Sequence, residues 1–268
     1  MSSLVHGAIP LLLSGCAGAI NYSDPAGPRH AATALQPATH DGHELRVVSF
    51  NVKFAEHVDR AVRVLRSNDA LRNADIVLLQ EMDEPGTAMI ADSLGMHWVY
   101  YPASVARNGR DFGNAILSCW PLEDDAKILL PHKAWVRGNQ RIAVAATARI
   151  GDRSIRVYSV HLATLFGNGP KDRREQLATV LADADRYPDV IIGGDFNSET
   201  VPEIALSRGY TWPTRGLPHT AKLWTLDHIL LKGQLAADSA SVGVARNDLK
   251  ASDHQPIWAA MSLDQNEK

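Results

Sequence analysis

Short apolar runs recur between residues 45 and 263 at lengths that suit strands: LRVVSFNV, DIVLLQE, NAILSCW, RIAVAATARI, SIRVYSVHL, DVIIGGDF, LWTLDHILL and PIWAAMSL. Several are rich in Val and Ile and are bounded by Gly, Pro or Asp, as buried strands are. Between them, VDRAVRVLRSNDALRNA and PKDRREQLATVLADADRY change to helical spacing. In the second, Leu177, Val180, Leu181 and Ala184 fall on one face. Pro170 opens that pattern and Pro188 follows it, where helix punctuation belongs. Some strands are sequence neighbours, such as 141–149 and 153–161 joined at Gly151 and Asp152, whereas others are separated by helical crossovers. This mixture predicts an α/β (α+β) chain with two mixed β-sheets covered by helices, not a purely parallel doubly wound sheet.

Upstream of Leu45 the periodicity stops. Residues 21–44 are mostly Pro, Ala, Thr, Gly and His, which predicts a flexible tether; residues 264–268 read as a polar tail. The apolar stretch from Gly7 to Ile20 is shorter than the roughly 20 residues of a spanning helix. Within it, LSGC (Leu13 to Cys16) resembles the lipobox of bacterial lipoproteins, in which the signal is cut before an acylated Cys. The resemblance implies a signal over residues 1–20, lipidation at Cys16, and residence in the bacterial cell envelope, with that anchor as the sole membrane contact. Because no Lys or Arg precedes LSGC, an incidental apolar terminus of a cytoplasmic protein also fits. With Cys16 lipidated, Cys119 is the only other Cys, and no internal disulfide can form.

Of the 268 residues 45% are hydrophobic and 21% charged, enough apolar content for one domain over 45–263. A monomer is the simplest expectation. The formal charge of -3 lacks the basic excess of a dedicated nucleic-acid binder, although a small basic groove is compatible with it.

Most predicted strands end in a residue an apolar core would reject: Asn51 after VVSF, Glu81 after IVLLQ, His161 after VYSV, Asp195 after IIGG, and Asp227 before HILL. Each alone also fits a helix cap, a turn residue or a half-buried imidazole. Together they predict convergence, since strand ends at one sheet edge are where open α/β sheets place ligands. Glu81, Asp195 and Asp253, with the amides Asn51 and Asn197, make an oxygen-rich set suited to a hard divalent ion, Mg²⁺ or Mn²⁺; the His and Cys spacing of a zinc site is absent. Asp195 and Asn197, two apart, share one side of an extended segment while Phe196 faces the other. Gly193 and Gly194 leave room for close backbone approach. Neighbours Asp253 and His254 can both serve a site only from a loop, so ASDHQP is predicted to be one.

In order, SFNV, LLQE, GNAILS, YSVHL, GGDFN, LDHILL and SDHQPI resemble the endonuclease/exonuclease/phosphatase superfamily, the fold group of deoxyribonuclease I, exonuclease III-type repair nucleases, neutral sphingomyelinases and inositol polyphosphate 5-phosphatases. The resemblance implies a four-layer α/β sandwich that hydrolyses phosphate esters with a divalent metal. Carried over by position, it makes Glu81 the principal metal ligand, with Asn51 beside it and Asp253 at the same cation. It makes Asp195 and Asn197 the pair holding attacking water and phosphate, His254 oriented by Asp227 the catalytic imidazole, and His161 the second His at the phosphate or leaving group. Lys53 and His161 depart from the repair enzymes, and Phe196 departs from the 5-phosphatases. Asn114 and Asp111 are candidate substrate contacts, Asp111 also as a partner orienting His161 or simply as a turn residue.

A phosphodiester repels anionic nucleophiles, so its hydrolysis needs a cation and a positioned base. Whether Asp195 or His254 takes the proton stays open. The expected substrate is a phosphodiester or phosphomonoester, with nucleic acid leading; an envelope phospholipid and a catalytically silent binding protein of the same fold are the alternatives. Specificity is expected in loops 102–113, 131–140 and 211–223, where Arg107, Arg110, Lys133, Arg137 and Arg215 are either phosphate contacts or solvated surface.

Overall fold

A computed structural model describes residues 18–36, 44–165, 167–236 and 240–263. In chain order the strands are β1 (His30–Ala32), β2 (Glu44–Asn51), β3 (Ile76–Met82), β4 (His97–Val105), β5 (Asp111–Ser118), β6 (Leu122–Leu129), β7 (Ile142–Ile150), β8 (Arg153–His161), β9 (Val190–Asp195), β10 (Asp227–Lys232), β11 (Ser241–Val244) and β12 (Ile257–Ser262). The helices are α1 (Val58–Ser67), α2 (Glu84–Leu94), α3 (Pro170–Ala184) and the single turn α4 (Glu203–Leu206).

Strand β2 shows how the layers arise. Its residues alternate, so Leu45 and Val47 enter one apolar cluster and Val48 and Phe50 another, all fully buried. The first cluster lies between two sheets, where Leu45, Val47, Leu78 and Ile116 meet Val144, Val157, Ile191 and Ile229. On the outer face of the first sheet, Ala61, Val64 and Leu65 of α1 and Ile90 of α2 cover Phe50, Val77 and Leu79. On the outer face of the second, Leu177, Val180, Leu181 and Ala184 of α3 cover Tyr158, Val160 and Ile192. The result is helix, sheet, sheet, helix, as expected. The first sheet runs β1-β4-β5-β3-β2-β12-β11 and the second β10-β9-β8-β7-β6. Among the described residues only the β2–β3 and β8–β9 pairs are parallel, so both sheets are mixed.

The tether expected over 21–44 is corrected by its described part. His30–Ala32 pair antiparallel with Trp98–Tyr100 of β4, and Tyr22 N–H donates to the Ala103 carbonyl at 2.9 Å. Arg29 forms a two-pronged ion pair with Asp125 at 2.7 and 2.6 Å. The physical reason is the edge of β4, whose unpaired backbone groups accept a covering segment of any side-chain pattern. Cys16 and residues 264–268 lie outside the described residues, so the lipidation and tail expectations fall there too. No helix among the described residues is long and apolar enough to cross a membrane.

Register brings the strand ends together. Asn51 stands opposite Gln80, His161 opposite Asp195, and Asp195 opposite Asp227. The close approach behind Asp195 depends on Gly194, at φ 150°, where a Cβ would lie 1.9 Å from the Val160 carbonyl oxygen.

Candidate active site

Below the site the sheets are stitched by buried polar groups, of which Gln80 and Ser159 were not singled out from sequence. Gln80 Nε2 donates to Ser159 Oγ at 3.1 Å, and Asn114 Nδ2 donates to the carbonyls of Ile142 and Ser159, each at 3.1 Å. Asn114, expected at the substrate, thus spends its amide N–H groups on holding β5 against β7 and β8. Just above, a bulge between Gln80 and Met82 puts Glu81 at φ 58°, turning its side chain out of the strand's alternation.

Glu81 and Asp195 come from different sheets and meet at Asn51. Its Nδ2 donates to Glu81 Oε1 at 3.2 Å and to Asp195 Oδ2 at 3.0 Å, while its Oδ1 accepts the Lys53 N–H at 3.0 Å. Asn51 therefore presents N–H groups to both carboxylates and clamps them together. Glu81 Oε2 accepts the Phe54 N–H at 3.1 Å. Asp195 Oδ1 accepts the Asn197 N–H at 2.8 Å, and Asn197 Nδ2 donates to the Leu162 carbonyl at 3.1 Å.

Two imidazoles point at the same carboxylate oxygen. His161 Nε2 lies 3.5 Å and His254 Nε2 3.8 Å from Asp195 Oδ2. His254 is oriented by Asp227, whose Oδ2 is 2.8 Å from Nδ1. Burial would lower its pKa, but the charges of Asp227 and Asp195 raise it to about 10. His161 is held differently. Arg141 Nη1 lies 3.0 Å from its Nδ1; a guanidinium only donates, so Nδ1 accepts and the ring proton sits on Nε2. Burial first, then the Arg141 and His254 charges, hold His161 well below its usual pKa, which keeps it neutral. Its Nε2 is buried without a hydrogen-bond partner, a donor aimed into the site.

Arg141 was not identified from sequence. Asp111, proposed to orient His161, instead accepts the Tyr22 O–H at 2.7 Å, because β5 begins beneath the amino-terminal segment. Asp253 is exposed on the predicted ASDHQP loop, lining the same opening as Asn197 and His254.

The cation expectation can be tested on these groups. Burial raises the pKa of Glu81, against the Arg141 charge and the Asn51 hydrogen bond, and pushes Asp195 up to about 7. Two buried carboxylates joined through one amide carry more negative charge than their surroundings balance, which fits a hard divalent ion. No cluster of three or more His, Cys, Asp or Glu able to hold a metal is found among the described residues. Mg²⁺ is commonly held by one or two carboxylates, with water and substrate phosphate completing its octahedron, so Glu81 as the principal ligand still fits it.

Comparison with known proteins agrees with this architecture. The sequence profile described as the Endonuclease/Exonuclease/phosphatase family matches residues 48–254. TDP2 from C. elegans superposes with a TM-score of 0.65 at 18% identity, over 83% of this chain and 77% of that one. D. rerio TDP2, in a crystal structure complexed with single strand DNA product, gives 0.64 at 18% identity over 81% and 98%. A Bacteroides thetaiotaomicron endonuclease/exonuclease/phosphatase family protein gives 0.64 at 17% identity over 86% and 100%. A search of curated sequences returns no match. The profile spans well over half of the chain and includes Asn51, Glu81, His161, Asp195, Asp227 and His254, and the protein belongs to the endonuclease/exonuclease/phosphatase family of phosphoric ester hydrolases.

Proposed function

We propose that the protein is a divalent-metal-dependent phosphodiesterase of nuclease type. The observation that carries this reading is the convergence of His161 Nε2, His254 Nε2 and Asn51 Nδ2 on Asp195 Oδ2. Glu81 would hold Mg²⁺ or Mn²⁺, oriented by Asn51 and the Phe54 N–H, and a bound cation would neutralise charge on the phosphate.

The chain's own residues supply the proton chemistry. With a pKa near 10, His254 is charged at neutral pH and has no lone pair with which to act as base. Asp195, raised to about 7 by burial, is matched to accepting a proton from water near neutrality. As the water oxygen bonds to phosphorus, its proton passes to Asp195, and the bond to the departing oxygen on the opposite side breaks, that oxygen taking a proton from solvent. His254 Nε2, 3.8 Å from Asp195 Oδ2, stands on the attacking side, where its imidazolium donates to a non-bridging oxygen. Neutral His161 donates its Nε2–H to a non-bridging oxygen, where charge develops. Asn197, fixed by the Leu162 carbonyl, lines the opening beside His254.

A nucleic-acid substrate is supported by the single strand DNA product in the D. rerio TDP2 crystal structure. The test is a panel of single-stranded DNA, bis-p-nitrophenyl phosphate and sphingomyelin vesicles, each with Mg²⁺, Mn²⁺ or EDTA. DNA cleavage that needs metal and falls at least about 1,000-fold in Asp195→Asn is expected. Cleavage indifferent to EDTA or to Glu81→Ala would sink the assignment, and cleavage of vesicles but not DNA would move it to a phospholipid. The envelope location implied by LSGC is part of the proposal. It is tested by labelled-palmitate incorporation, which Cys16→Ala must abolish.

A further inference from the structure

A cavity of about 470 Å³ opens from Glu81 and Arg141, and the chemistry above uses none of its other side chains. Its wall carries Phe54 and Phe112, with ring centroids 5.3 Å apart, and the Arg141 guanidinium 5.3 Å over the Phe112 ring. Arg107 and Arg137 line its outer part. Phe112 is almost fully buried, but Phe54 keeps 41% of its surface exposed. A large apolar ring left half in water beside a catalytic centre needs a reason.

The backbone adds to the question. Lys53, Phe54 and Ala55 have φ values of 43°, 52° and 49°, three consecutive left-handed residues without a glycine. Such a run is costly, and it is retained only where its surroundings hold it. Here the holders are site residues: Asn51 Oδ1 accepts the Lys53 N–H, Glu81 Oε2 accepts the Phe54 N–H, and Arg110 Nη1 donates to the Ala55 carbonyl at 3.2 Å. The same turn that orients the Glu81 carboxylate therefore fixes the Phe54 ring at the cavity mouth.

We propose that Phe54 is the stacking platform for an unpaired nucleobase next to the scissile phosphate, with Arg107 and Arg137 facing the neighbouring phosphates. The proposal rests on the phosphodiesterase reading and specifies its substrate as single-stranded nucleic acid. An exposed aromatic ring beside two cations suits a base and its flanking phosphates. An acyl chain would need a continuous aliphatic lining, and the aliphatic residues here are limited to Val105, Ala106 and Ala134. Inside a duplex base faces are covered by their neighbours, so away from a helix end the ring has a face to meet only on an unpaired base.

The test separates binding from cleavage. Fluorescein-labelled oligothymidylate is titrated with the full chain in EDTA and followed by anisotropy, alongside an abasic oligomer of equal length. Phe54→Ala is expected to raise the Kd for oligothymidylate by about 5- to 100-fold, the span of one base–aromatic stack. The abasic oligomer should bind both proteins alike, and Phe54→Tyr should restore wild-type affinity. Equal binding of oligothymidylate by Phe54→Ala and wild type overturns the proposal. So does an equal loss on the abasic oligomer, or failure of the wild type to bind oligothymidylate. Oligothymidylate binding that depends on Phe54, without metal-dependent cleavage, would uphold this subsite and refute the catalytic reading instead.

Discussion

Replacing Asp227 by Asn tests the division of labour between Asp195 and His254. Asp227 is fully buried, and its Oδ2 lies 2.8 Å from His254 Nδ1. Among the influences that raise His254 to about 10, the Asp227 charge is the largest, and burial alone acts downward. Asn keeps the shape and removes the charge, so His254 should fall from about 10 toward its ordinary 6.5, with Asp195 still acting to raise it. At pH 8.5 a group of pKa 10 is about 97% protonated and one of pKa 6.5 about 1%, so a mechanism needing the imidazolium slows by up to about 100-fold.

The assay is a pH–rate profile of kcat/KM for cleavage of single-stranded DNA in Mg²⁺. Both rates should rise toward pH 7 as Asp195 loses its proton; wild type should then hold its rate up to about pH 9, whereas Asp227→Asn should peak near pH 7 and lose about tenfold per pH unit above it. If the variant is slower by the same factor at every pH, the charge of His254 is not what catalysis uses. If its rate instead climbs to a plateau that persists above about pH 7.5, the neutral imidazole is the active form, His254 is the base and the assignment to Asp195 is wrong.

Three further outcomes follow from the same geometry. Asp195→Asn should stabilise the metal-free protein while abolishing activity. A carboxylate raised from 3.8 to about 7, net of its attraction for His254, costs the fold up to about 4 kcal/mol, and the hydrogen bonds it accepts from Asn51 and Asn197 offset part of the gain on removing it. Urea unfolding in EDTA should therefore show a gain of about 1–3 kcal/mol at pH 8 that shrinks as pH falls from 7 to 4, where folded and unfolded states are both protonated; a loss at pH 8 refutes it. Arg141→Ala should raise the His161 pKa, although burial keeps it below 6.5, and lower kcat by about 10- to 1,000-fold. Imidazole NMR chemical shifts read the first effect, and an unchanged shift counts against the tautomer assignment. Asn21→Ala removes hydrogen bonds of 2.8 Å to the Gly138 carbonyl and from the Gln140 N–H. The expected cost is about 1–3 kcal/mol, with faster amide exchange over 134–140, and unchanged exchange would show that the amino-terminal segment does not brace that loop.

How far the fold could be read from sequence depended on whether an element's stability is written in its own periodicity. The interior strands β2, β3, β7, β8 and β9 are buried on both faces and read as apolar runs. Strand β4, interrupted by Pro102, bulges between Pro102 and Ser104, and β6, LEDDAKIL, is an edge strand with a bulge between Glu123 and Ala126. Neither pattern alternates, since a bulge breaks the period and an edge strand tolerates charge. Helix α2 escaped because Pro85 and Gly86 look like a turn. Its first turn is instead fixed by Asp83, which accepts the Gly86 N–H at 2.9 Å, and its end by Gly95 at φ 66°.

The site was more legible than the fold around it, for a reason visible at Asp227 and His228. A strand's period of two says that these neighbours face opposite sides, but not which of them faces the site. That choice is made by register: Asp227 stands opposite Asp195, itself opposite His161, which puts all three on one row. His228 turns to the helix layer, where Trp212 packs edge-on at 5.0 Å and burial lowers its pKa to about 4. Polar residues at strand ends thus announce themselves individually, whereas a partner such as Arg141 does not. It precedes β7 as an ordinary loop arginine, and only pairing of β7 with β8, Ala143 opposite Val160, carries it to His161. A charge whose role is set by the neighbouring strand leaves no periodic trace in its own, so what sequence could name was the acids and imidazoles, and what it could not name was the guanidinium that decides where the His161 proton sits.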